Sequence, residues 1–128
     1  MHSKISGGIE IQVETSYQEA YSNPAERQFT FAYRITIVNG NVFPVQLLRR
    51  HWLITDGSTE TREVEGEGVV GVQPQIQPGD RYQYISACHL RHEIGKMHGT
   101  YTLKNLHNHK TFQVVIPEFQ LIAPALLN

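Results

Sequence analysis

The chain has 128 residues, 40% of them hydrophobic and 18% charged, with a formal net charge of −1 and one cysteine. That length suits one domain with a sizeable core, and the charge balance offers nucleic acid or an anionic membrane no general attraction. A lone cysteine excludes an intramolecular disulfide and fits a reducing compartment, and no apolar run matches a signal peptide or a bilayer span. The expectation is one cytoplasmic domain over residues 1–128.

Residues 9–13 alternate Ile9, Ile11 and Val13 with polar neighbours, the period-two pattern of a strand with one buried face. Residues 17–25 lose that pattern and end in Ser22-Asn23-Pro24, which reads as a loop. Phe29, Phe31, Tyr33, Ile35 and Ile37 then share one face of a long strand. A turn at Asn39-Gly40-Asn41 leads to a second long strand over residues 45–55. There Leu48, Trp52 and Ile54 are expected to flank Arg50, while Leu47 and Leu53 flank Arg49 and His51. Asp56-Gly57-Ser58 is a turn, and residues 59–65 make a short charged edge strand.

Two prolines, Pro74 and Pro78, exclude a helix from the next stretch, and Pro78-Gly79 signals a turn. Strand character returns over residues 81–86, with Tyr82 and Tyr84 in phase. Residues 87–95 look irregular, a loop or one helical turn. Residues 97–103 form another strand, residues 105–110 a polar hairpin connection, and Phe112, Val114 and Ile116 a further strand that Pro117 interrupts. Phe119, Leu121 and Ile122 make a short last segment. No window carries a helical apolar stripe, and no repeat is present. Seven or eight short strands indicate an all-β sandwich of two antiparallel sheets, immunoglobulin- or fibronectin type III-like, ahead of a jelly roll or small barrel.

Gly66, Gly68 and Gly71 spell G-x-G-x-x-G. In a dinucleotide-binding fold these glycines lead from a strand into a helix whose N-terminus meets the pyrophosphate. Here Pro74 removes the helix and no βαβ unit surrounds the motif, so its glycines are expected mainly to bend the backbone. An anion-binding loop, with Arg49, Arg50 and His51 nearby, is the alternative. Cys88, His89 and His92 in one segment and His107 and His109 in another have the chemistry of zinc, nickel or cobalt ligands. They lack paired ligand spacing, so unligated side chains are the first expectation and metal binding the second. No nucleophile motif frames Cys88, Ser86 or His51, so neither catalysis nor a cofactor is expected.

The runs Phe31-Ala32-Tyr33-Arg34-Ile35-Thr36-Ile37, residues 46–56, residues 66–74, Pro78-Gly79, Tyr84-Ile85-Ser86, residues 95–101 and Ile116-Pro117-Glu118-Phe119 together resemble the ApaG family, in order and spacing over nearly the whole chain. Val72 departs from the acidic residue more usual there, and residues 89–93 diverge. The resemblance implies a fibronectin type III or immunoglobulin-like sandwich in a bacterial protein without established enzymatic activity. It also implies an association with cobalt and magnesium tolerance and, through fusion of the domain to F-box substrate adaptors, a protein-binding role. The expected partner is therefore another protein, and unpaired strand edges also permit a symmetric dimer.

Overall fold

A computed structural model describes residues 1–124; the last four residues of the expected domain lie outside the described part. Nine strands follow one another: β1 (His2–Ser6), β2 (Ile9–Tyr17), β3 (Phe29–Asn39), β4 (Val45–Asp56), β5 (Glu60–Glu67), β6 (Gln75–Ile76), β7 (Arg81–Leu90), β8 (Ile94–Asn105) and β9 (Thr111–Ile122). They form two antiparallel sheets, β1-β2-β3-β7 and β5-β4-β8-β9, with β6 paired to β4. Crossing from β3 to β4 and returning at β7 beside β3 gives the Greek-key path of an immunoglobulin- or fibronectin type III-like sandwich. Among the described residues no helix is long and apolar enough to cross a membrane.

Alternation fills the space between the sheets. Ile9, Ile11 and Val13 of β2 and Phe29, Phe31, Tyr33, Ile35 and Ile37 of β3 are buried, facing Trp52, Tyr101, Val114 and Phe119 from the other sheet. Trp52 is the hub. Its indole meets Tyr33, Phe119 and Tyr101 edge-on, with ring centres 5.5, 5.9 and 6.3 Å away.

Four local expectations change. On β4 a bulge at Leu48 shifts the register between Leu47 and Arg49, so Leu47, not Leu48, joins Arg50, Trp52 and Ile54 on the inner face. Residues 87–90 are not irregular: β7 continues to Leu90, because Cys88 and Leu90 face the core, and β8 starts at Ile94 after a tight turn. Pro117 does not end its strand, because it sits in a bulge of β9, where Pro117 and Glu118 together oppose His98 of β8 and a missing donor disrupts no ladder bond. Residues 2–6, left unassigned above, pair with β2 while showing solvent almost no apolar pattern.

The two open sides of the sandwich differ. On one, the Val115 amide donates to Ser6 Oγ at 2.9 Å and joins β9 to β1. On the other, β5 and β7 are spanned by Arg62, whose guanidinium donates to the His89 carbonyl.

Candidate functional site

The glycine stretch closes around Arg50. Gly66, next to the last residue of β5, lies opposite Arg50, and a methyl there would lie 2.9 Å from the Arg50 Nη1. Arg50 Nη1 donates to the carbonyls of Glu67 and Gly68, both at 3.0 Å. The Gly68 amide in turn donates to the Leu48 carbonyl at 2.8 Å, and the Gln73 side chain reaches the same oxygen at 2.9 Å. The bulge that precedes Arg50 is therefore held by the loop that receives its guanidinium.

Beyond Gly68 the chain makes a two-residue turn. Val69 and Val72 exchange backbone bonds of 2.8 and 3.0 Å, and the central Val70 and Gly71 take φ of +48° and +76°. This is the geometry of a type I′ turn, in which a β-branched residue such as Val70 is disfavoured. Val69 is buried in the core and Val70 is exposed. The amides of Gly68, Val69 and Val72 are all used within the loop, and its carbonyls, not its amides, meet the nearest cation.

The other candidate residues fall into separate places. Arg49 is exposed on the opposite face of β4 from Arg50. His51, on that same outer face, lies opposite Glu65, and its Nε2 is 3.1 Å from Glu63 Oε2 and 3.8 Å from Glu65 Oε1. The nearer carboxylate faces the nitrogen outside hydrogen-bonding angles, so the contact is a cross-strand ion pair when the ring is protonated. His89 Nδ1 sits 3.1 Å from Thr30 Oγ1 on the outer face of the first sheet. His92 Nδ1 is 2.9 Å from Asp56 Oδ1, and the Asp56 carboxylate also accepts the amides of Arg91 and His92. His107 and His109 occupy the β8–β9 turn, where the Asn105 side chain accepts the His107 amide. Among the described residues two groups are close enough to share an ion, His51 with Glu63 and Glu65, and His92 with Asp56 and Glu60. Neither combines two of the four histidines singled out above.

Two features escaped the sequence reading. Arg62, the one basic residue of an otherwise acidic β5, turns inward toward β7, with Nη1 3.6 Å from buried Asp56. Ile85, out of phase with Tyr82 and Tyr84, is 62% exposed on the outer face of β7. It borders a shallow depression of about 410 Å³ with Tyr21, Ala32 and Ala87. The lone basic residue and the out-of-phase isoleucine were the available signals.

Burial also sets the acid–base character of the interior. It pushes the Cys88 thiol up to about 11, against the smaller opposing effect of Arg62. It likewise raises Tyr33, Tyr84 and Tyr101 above the ordinary phenol value, and the hydroxyls of Tyr84 and Tyr101 hydrogen-bond to each other. A thiol held neutral is a poor nucleophile.

The ApaG domain family matches residues 19–105. The chain belongs to the ApaG family. It is 46% identical to Protein ApaG of Proteus mirabilis over 123 residues, covering 96% of this chain and 98% of that one. It is 44% identical to Protein ApaG of Brucella canis over 124 residues, covering 97% of this chain and 95% of that one. A crystal structure from Bordetella pertussis, 41% identical, superposes with a TM-score of 0.87 over 91% of this chain and 94% of its own. The bulge, the inward arginine and the glycine turn thus belong to an ApaG domain.

Proposed function

We propose that this ApaG domain is a protein-binding module that takes an extended partner segment along the free edge of β7. The observation that carries this reading is the contrast among strand edges. An unpaired edge offers a row of backbone donors and acceptors, and folded proteins blunt it with charge, proline or shortness. β5 carries Glu60, Arg62, Glu63, Glu65 and Glu67; β1 is 5 residues long; β9 contains Pro117. β7 runs for 10 residues with Arg81 and His89 as its ionisable ends and no proline. Beside it, exposed Ile85 and Tyr21 offer an apolar contact for alternate side chains of an added strand.

Affinity capture from cell extract with the wild-type chain and with Ile85→Lys tests this. A protein retained by the wild type and lost from the variant is the expected result, with the two chains equally stable in urea. An identical set of retained proteins on both would overturn the reading.

A further inference from the structure

The interaction reading leaves unused a polar cleft of about 220 Å³ between β5 and β7. Arg50, Arg62, Tyr33, Ser86 and Cys88 line it, and the indole of Trp52 forms part of its wall. Arg50 spends Nη1 on the Glu67 and Gly68 carbonyls. Among the described residues its Nη2 and Nε have no protein acceptor, and no carboxylate lies within ion-pairing distance of it. Arg62 reaches the cleft from β5, and the one carboxylate near it, Asp56, is already met by two backbone amides and by His92. No Asp or Glu lines the cleft, and burial holds Cys88 as a neutral thiol.

A half-buried guanidinium without a counter-charge is a costly arrangement that a bound anion would relieve. The planar fork of Arg matches the oxygens of a phosphate in two parallel hydrogen bonds. The cleft has room for one phosphate group and part of its hydration.

The geometry points to this cleft as a binding site for a phosphate group, free or borne on a small monoester, held by Nη2 and Nε of Arg50 with Arg62 and the Ser86 hydroxyl beside it. The site shares Arg50 with the glycine motif but relies on the guanidinium, since the amides of Gly68, Val69 and Val72 are engaged elsewhere. It is distinct from the apolar contact at Ile85, which lies on the outer face of the same strand.

Titration of the full chain with inorganic phosphate and, separately, with O-phosphoserine tests it, at ionic strength held constant with potassium chloride. Trp52, the only tryptophan, reports by fluorescence, and the Nε–H resonances of Arg50 and Arg62 report by NMR. The expected result is a saturable change in both signals. Arg62→Met, a change at a half-exposed side chain, should weaken binding several-fold, and Arg50→Met about tenfold or more. Because Arg50 also holds the glycine loop, the wild-type resonances and Arg62→Met decide the matter should Arg50→Met fail to fold. Tighter binding of phosphoserine assigns the group to a larger molecule, and tighter binding of phosphate assigns it to the free anion. A response that never saturates, that chloride reproduces, or that Arg62→Met leaves unchanged overturns the proposal.

Discussion

Replacing Gly68 by alanine separates an architectural glycine from a ligand-binding one. Gly68 sits at φ +64°, and a Cβ there would lie 2.2 Å from the Val72 carbonyl oxygen, a backbone atom of the same tight turn. The left-handed conformation alone costs a non-glycine residue roughly 1–2 kcal/mol. Relieving the clash means opening the turn, which strains the Gly68 amide bond to Leu48 and the two carbonyl bonds to Arg50. Each such bond is worth about 1 kcal/mol, so losing two of the three brings the total loss to about 3–4 kcal/mol. Gly71→Ala is the control. Gly71 also has positive φ, +76°, but no atom lies within 4 Å of its added methyl, so it should lose only about 1 kcal/mol. Urea unfolding followed by Trp52 fluorescence measures both. With a slope of about 1–3 kcal/mol per molar the two midpoints should differ by roughly 1 M. Equal losses for the two alanines, or a Gly68→Ala chain as stable as the wild type, would refute the idea that the loop is built to hold Arg50.

Val70→Asn should raise stability by about 1 kcal/mol in the same assay, since asparagine tolerates the positive φ that strains an exposed valine. Asp56→Asn should lower it by about 3 kcal/mol, because the buried carboxylate ties two amides, His92 and Arg62 to the end of β4. Stability should also fall as pH rises from about 9 toward about 11. Over that window the unfolded Cys88 thiol, at its ordinary 9.0, loses its proton while the folded one, at about 11, keeps it. Cys88→Ala should flatten this first part of the alkaline decline in urea midpoints measured at successive pH values. The ionisation of Tyr84 and Tyr101 in the unfolded state should continue the decline above pH 10.

Strands whose residues keep one phase from end to end were legible in the sequence. β2 and β3 alternate without interruption, and their buried apolar residues match the expected face one by one, although Thr30 and Thr36 on the outer face are covered too. What escaped the pattern was any strand in which a bulge changes phase. Counting from Trp52 by twos reaches Leu48, and only the extra residue at the bulge explains why Leu47 is the one buried. β1 escaped for the opposite reason: it is held by backbone pairing and buries nothing a periodicity could register. The glycine motif was legible as something other than a nucleotide cradle, because Pro74 forbids the helix that such a cradle needs. Its actual partner was not, because Arg50 lies 17 residues from Glu67 and meets it only across the β4–β5 pair.

That partnership explains an apparent inconsistency in the chain. A sandwich core this aromatic has no packing reason to admit a guanidinium, yet Arg50 stands in phase with Trp52 and Ile54, and the bulge at Leu48 brings Val45 and Leu47 onto that same inner face. The Leu48 carbonyl bound by Gly68 and Gln73 fixes the loop, and the carbonyls of Glu67 and Gly68 on Nη1 hold that one charge on the inner face. Buried polar groups are tolerated where their bonds are met, and Arg50 is met on one nitrogen of three. The side left open between β5 and β7 contains two guanidiniums, whereas the opposite side is stitched by Ser6 and Val115. Stability alone would favour an apolar residue at 50 and a sealed edge. The cost is therefore concentrated where an outside group has access, which is why the phosphate site proposed above is sought in the cleft between β5 and β7.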